Sequence, residues 1–142
     1  MNRSANRLRG AIKQNSIELI EATQNDKALL EECVNDLSYI TEFTGWNEFS
    51  EDEAQDLLDH KELPQNGSKE NDRVYIIKKE GIPVGYCKLY EGAMNDPNKV
   101  FLGYMGIMRE YQKRGIGRKV YRVLEEEIKN SKYTTIRLNV GT

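Results

Sequence analysis

The chain has no apolar run approaching the roughly 20 residues that a membrane-spanning helix needs, and no strong excess of either charge, its formal net charge being −2 at pH 7. No membrane partner is expected. A general nucleic-acid-binding domain, which is usually basic, is disfavoured as well. Cysteine is scarce: Cys33 and Cys87 are too few and too far apart to read as a metal site, so no metal is expected and both are read as core or near-core thiols. Nothing points to an oxidising compartment, and the cytoplasm is the default location. The first fifteen residues, MNRSANRLRGAIKQN, carry Arg3, Arg7, Arg9 and Lys13 but lack the apolar stretch of a secretory leader. They are expected to be a basic arm that extends a helix or stays disordered, with a transit peptide the more remote alternative. Internal repeats and low-complexity tracts are also missing.

What is present suits one soluble domain: 142 residues, 38% hydrophobic and 31% charged, enough to bury a core without staples. The stretch 16–23, SIELIEAT, alternates as a first strand. A helix follows, with a cap signal at Asn25 and Asp26 and with Leu29, Leu30, Val34 and Leu37 on one face. FTGWNEF, with the single Trp46, interrupts it. A second helix opens at Ser50, which stands at capping-box spacing from Glu53, and points Ala54, Leu57 and Leu58 inward. His60 closes a polar helix face and reads as a surface histidine. After a polar loop at 61–72, VYIIKKEGIPVGYCKLY reads as two strands joined by a tight turn at Glu80-Gly81. VFLGYMGIM at 100–108 is a third buried strand. A helix from about Ile116 to near Asn130 and a final strand in KYTTIRLNV complete a β-α-α-β-β-β-α-β order: α+β, with a mixed, mostly antiparallel sheet flanked by helices.

The stretch YQKRGIGRKV at 111–120 puts two glycines and four cations between that third strand and an amphipathic helix whose apolar face is Ile116, Val120, Val123, Leu124 and Ile128. Helix N-termini expose unpaired N–H groups with partial positive charge and hold anions. Glycines let backbone approach a phosphate, and Lys113, Arg114 and Arg118 supply charge. A purely structural role for these cations would set them against the helix dipole. A Walker A loop is excluded, because Gly117 is followed by Arg118-Lys119-Val120 with no glycine at the required distance before it. The dinucleotide fingerprint is disfavoured by Val120 in place of a third glycine and by the preceding hairpin. Gly103 and Gly106 within the strand mark either a bulge with a close approach to backbone or room for side chains packed across the sheet.

Gln112, Lys113, Arg114, Gly115, Ile116 and Gly117 satisfy Q/R-x-x-G-x-G/A, and in this setting the loop resembles the acyl-CoA pyrophosphate loop of the GNAT superfamily of N-acyltransferases. EGIPVGYCKLY resembles that family's second-to-third-strand hairpin and GIMREYQKRGIG its fourth strand and loop, with Arg109 in place of the usual proline. The resemblance spans about 17–140 and is specific over about 75–140. It implies an acyl-CoA N-acyltransferase-like fold, with acetyl-CoA (coenzyme A) as acyl donor and direct transfer to the amine of a small molecule or protein. It implies cofactor contacts from Ile107, Met108, Gln112, Lys113, Arg114, Gly115, Ile116, Gly117 and Arg118, with the Ile107 N–H a candidate oxyanion donor. Glu91, at a strand end that faces the acceptor cleft in the family, is the preferred general base; Glu110 is the other candidate, and an ordinary solvated carboxylate is the plain alternative for Glu91. Tyr104 reads as packing. Trp46 and Phe49 fall where the family's first helices roof the acceptor, with core packing favoured. Glu48, Glu51 and Glu91 would suit a cationic acceptor.

The chain departs from the pattern after IRLNV: it stops at Thr142, before the further helix and two strands that the family carries. The expectation is a single domain over 1–142, with 1–15 as the arm, an exposed edge at 133–140, a homo-oligomer and impaired catalysis. A catalytically impaired acyl-CoA-binding sensor or interaction module of the same fold is the alternative to the enzyme.

Overall fold

The most continuous apolar pattern in the chain forms the centre of the sheet. In the computed structural model, which describes residues 10–14, 16–37, 52–61, 63, 69–92, 98–131, 133 and 135–138, these residues are β3 (Asp72–Lys79) and β4 (Ile82–Glu91). Their two-residue connection is Glu80-Gly81, with φ of 52° and 81°, the left-handed pair that a type I′ hairpin turn uses. β2 (Ile17–Glu21) lies against β3, and β5 (Lys99–Ile107) against β4, both antiparallel.

Two strands lie outside these four. Ala11–Gln14, within the stretch assigned to the basic arm, forms β1 and pairs antiparallel with β2, with Ile12 buried. The signal was short: one inward apolar residue cannot establish a period by itself. β6 (Thr135–Leu138) pairs with β5 in parallel, from Lys99↔Thr135 to Leu102↔Leu138. A parallel neighbour needs a crossover, which the helix at Ile116–Lys129 supplies. The strand order in space follows the chain, β1 to β6, so the fold is α+β with a mixed, mostly antiparallel sheet.

Helices cover both faces because β3 and β4 are apolar on both. α1 (Lys27–Leu37) and α2 (Glu53–Leu58) bury Leu30, Cys33, Val34, Ala54, Leu57 and Leu58 against Val74, Ile76 and Tyr86. α1 is entered through a 3-10 turn, Gln24–Asp26, whose cap is Thr23; the Thr23 N–H donates to Asp26 Oδ2 at 2.8 Å, so Asp26 is the reciprocal partner of the cap and not the cap itself. Ser50, the residue expected to open the second helix, lies outside the described residues, as do Trp46, Glu48, Phe49 and Glu51. On the other face α3 (Ile116–Lys129) sets Ile116, Val120, Val123, Leu124 and Ile128 against Leu19, Tyr75, Ile77, Leu89 and Leu102. These are the five positions that the helical period selects. Cys33 and Cys87 are buried and unbridged, and burial pushes their thiols up to about 11 and about 12 respectively. Neither is a thiolate nucleophile at neutral pH.

Candidate functional site

The end of β5 and the start of α3 form one continuous structure. The Met108 N–H donates to Val84 O at 2.8 Å, which by strand alternation turns the N–H and C=O of Ile107 away from β4. β6 covers β5 only as far as Leu102, so among the described residues no strand pairs with that edge at Ile107. The Ile107 carbonyl instead accepts the Gln112 side-chain amide at 2.8 Å, tying the loop back to the strand it leaves. Met108 is used differently from Ile107: its N–H belongs to the sheet and its side chain to the α1–α2 core. Among the described residues, the backbone left without a strand partner at this edge is that of Ile107.

Glycines bring the strands to this arrangement. The β4–β5 register slips between Lys88↔Tyr104 and Leu89↔Leu102, making Gly103 the extra residue of a bulge. A Cβ on Gly103 would overlap the Tyr90 ring, and one on Gly85 would overlap the Gly106 carbonyl oxygen. Both readings of Gly103 hold together: it forms the bulge and leaves room for a packed ring.

Beyond Ile107 the chain makes a 3-10 turn, Arg109–Tyr111, and enters α3 through Lys113 at φ 65° and Gly115 at φ 75°. Gly115 has open space where a Cβ would stand, so it is the left-handed backbone that calls for glycine. A lysine in that conformation is uncommon and costs stability. Packing does not demand glycine at 117, where a Cβ would make ordinary contact with Met105. No side chain caps α3 and no acid lies in its first turn. Lys113, Arg114, Arg118, Lys119 and Arg122 are all exposed, and none makes an ion pair among the described residues. The Arg114 guanidinium sits 5.8 Å from the centroid of the Tyr111 ring, within cation–π range.

On the opposite face of the sheet, a cleft of about 960 Å³ runs between α1 and the 3-10 turn. Ile82, Pro83 and Met108 line its apolar side, and Glu31, Glu32, Asp36 and Glu110 make its acidic rim. Asp36 closes one end by accepting the Arg109 N–H at 2.7 Å. The neighbouring Glu110 carboxylate raises the Tyr111 pKa.

Glu91 lies elsewhere. Its side chain is fully buried and accepts from Arg73 Nε at 2.6 Å, while Arg73 Nη1 donates to Glu21 at 2.9 Å. Burial opposes the Arg73 charge, but the hydrogen bonds it donates to Glu91 and then Glu21 more than offset it, so the guanidinium pKa stands above its ordinary value. Glu91 pairs with Val100, seven residues before Ile107, which at about 3.3 Å per residue is roughly 20 Å. The two cannot serve one reacting carbon. His60 was read as a surface residue, yet its Nδ1 lies 2.7 Å from Asp72 Oδ2, and Lys88 Nζ stands 3.7 Å from the other Asp72 oxygen. Contacts of this kind, between a helix end or one strand and another strand, carry no local signal in the sequence. Tyr104 is half-buried with its ring centroid 5.2 Å from that of Tyr86, as its reading as packing expects.

Similar architecture occurs in solved acetyltransferases. An acetyltransferase from Thermus thermophilus is 22% identical with a TM-score of 0.61, over 78% of this chain and 68% of that one. A possible acetyltransferase from Clostridium difficile 630 is 14% identical with a TM-score of 0.64, over 90% and 82%. A ribosomal-protein-alanine N-acetyltransferase from Brucella melitensis biovar Abortus 2308 is 13% identical with a TM-score of 0.61, over 88% and 80%. At these identities the likeness is one of fold. No curated protein matches the chain. The family model described as "Acetyltransferase (GNAT) family" matches residues 36–142, from the end of α1 through the glycine loop to the last strand, and the chain belongs to that family.

Proposed function

We propose that the chain is an acetyl-CoA-dependent N-acetyltransferase that passes an acetyl group directly to an amine. The observation that carries this reading is the start of α3. Among the described residues the first N–H groups of α3, at Ile116, Gly117 and Arg118, have no backbone acceptor, and they meet cations without an ion pair and a left-handed lysine, with no acid in the first turn. That arrangement works against the helix dipole unless an anion occupies it.

Acetyl-CoA supplies an activated acetyl thioester. The N–H groups of Ile116, Gly117 and Arg118 would hold its pyrophosphate, with Gly115 shaping the turn and Lys113, Arg114 and Arg118 adding charge. Gln112 fixes the loop to the strand end, and the Ile107 N–H would donate to the thioester carbonyl oxygen as charge develops there. The acidic cleft on the other face suits an amine that arrives as a cation. Glu110, the one of the two candidate carboxylates on that cleft, would take up the amine proton so that the nitrogen can attack the thioester carbon; as the C–N bond forms the C–S bond breaks, and coenzyme A leaves as the thiolate, which takes up the proton lost by the new amide nitrogen. Glu91 keeps a structural role in this scheme. Its burial also favours the alternative, a module that binds acyl-CoA without turning it over.

The thermal midpoint of the chain with and without acetyl-CoA tests the reading. Saturation at about 100 times the dissociation constant adds roughly 2.7 kcal/mol, a shift of several degrees at this size. Absence of a shift in a folded sample sinks the proposal. A shift without acetylation of any amine in a broad panel selects the binding module, and acetylation that E110Q slows without reducing the shift supports the assigned base.

A further inference from the structure

Two contacts join the end of α1 to the turn that leads into the glycine loop, between residues 73 positions apart in the chain. The Arg109 N–H donates to Asp36 Oδ2 at 2.7 Å, and Arg109 Nε donates to the Asp36 carbonyl at 3.2 Å. Asp36 lies in the last turn of α1, where carbonyls lack helical partners. α1 places no basic residue of its own in that turn. Arg109 therefore supplies from outside the cation that a helix C-terminus favours.

Neither residue is explained by its own element. A carboxylate in the last turn of a helix opposes the macrodipole, so Asp36 does not serve α1. Nor does the turn need an arginine. Arg109 is the first residue of the 3-10 turn, and Met108 before it stands at φ −58° and ψ 149°, the extended backbone that a following proline favours. Proline would suit the first position of such a turn, but it would have no N–H for Asp36. The link thus serves the junction between the two elements, and that junction bears on the site. Arg109 and Glu110 line the cleft together with Asp36, while Ile107 O accepts from Gln112 of the loop. Met108, between them, packs in the α1–α2 core. Apolar packing is non-directional, so it sets how closely the turn approaches α1; the paired hydrogen bonds set their relative rotation.

We infer that Asp36 and Arg109 are positioning residues, which hold α1 and the acidic cleft in register with the loop that takes acetyl-CoA. The inference rests on the cofactor reading above. A ligand that orders the loop then also orders the end of α1 through this pair. By reciprocity, an amine seated against α1 tightens acetyl-CoA binding by the same factor.

Amide hydrogen exchange of the chain, free and saturated with acetyl-CoA, tests this in the wild type, D36N, D36A and R109P. In the wild type acetyl-CoA should slow exchange in the loop and also at residues 34–37, there by roughly threefold to tenfold, the range of one exposed hydrogen bond. D36N keeps an acceptor for the Arg109 N–H and should retain both responses. D36A and R109P each remove that bond, so the loop should still gain protection while the end of α1 no longer responds. Folding of each variant is checked by circular dichroism, and either D36A or R109P alone is sufficient. A merely structural pair would speed exchange in α1 by the same factor with and without acetyl-CoA, and that result overturns the inference while leaving the cofactor reading intact. An α1 response that survives in D36A or R109P overturns it as well. If the wild-type loop gains no protection, the cofactor reading fails and this assignment with it.

Discussion

The two ends of the sheet treat charge in opposite ways. At the end where β4 finishes, Arg73 lies between Glu21 and Glu91 with contacts of 2.9 and 2.6 Å, and Asp72 lies between His60 and Lys88 on the other face. Each of those charges has a partner from a different element. At the end where α3 begins, Lys113, Arg114, Arg118, Lys119 and Arg122 stand exposed with no acidic partner among the described residues. Paired buried charges fix how strands and helices meet, whereas unpaired cations at a helix N-terminus leave free energy that an anionic ligand can recover. The residue type by itself does not say whether a charge is paired; Glu91 and Arg114 differ in this because their surroundings do.

The sharpest test of the paired end is Arg73→Met. It removes the guanidinium that pairs with the buried Glu91 carboxylate, and the expected loss is about 3–5 kcal/mol, read as a fall in the urea midpoint; a loss below about 1 kcal/mol would place this pair with weak surface bridges. Gly85→Ala comes next, because its methyl meets the Gly106 carbonyl across the β4–β5 pair. Overpacking should remove about 1–3 kcal/mol, and the displaced β5 edge should weaken acetyl-CoA binding as well.

A pH series separates Asp72 from ordinary paired carboxylates. Burial, the largest effect, raises its pKa above the usual 3.8, with Lys88 and then His60 pulling the other way. The folded state thus takes up this proton at a higher pH than the unfolded chain. Relative to D72N, the wild type should gain stability as pH falls through the folded pKa, with the gain complete below the unfolded value and absent at neutral pH. A wild-type advantage that shrinks on acidification would reverse the assignment.

At the unpaired end the expected stability change is smallest and has the opposite sign. Lys113→Ala with Arg114→Ala should leave the free protein unchanged or raise its stability by about 0.3–1 kcal/mol, since both cations oppose the α3 dipole. The same double substitution should lower acetyl-CoA affinity at least severalfold. If it destabilised the protein and left binding alone, the contrast between the two ends would collapse.

Much of the fold is legible in the sequence. The helical period of Ile116, Val120, Val123, Leu124 and Ile128 specified the buried face of α3, and the two apolar runs around Glu80-Gly81 specified a hairpin. The glycine loop was recognisable because its signal lies within a few consecutive residues. β1 carries no sequence signal of its own, since a single inward residue, Ile12, has no period. Glu91 was placed at an acceptor cleft because its strand ends there in the resemblance, and nothing local said that Arg73, eighteen residues earlier, would meet it across the hairpin.

The sequence by itself determined the long helix α3, the β3–β4 hairpin and their amphipathic faces, since those depend on neighbours three or four positions away at most. Only the tertiary structure decided which charges are paired. The register of β2, β3 and β4 brought Glu21, Arg73 and Glu91 together, and the packing of α1 against the turn after β5 brought Asp36 to Arg109. Such contacts join residues far apart in the chain, where no local preference acts, and they form only when the whole sheet closes on its core.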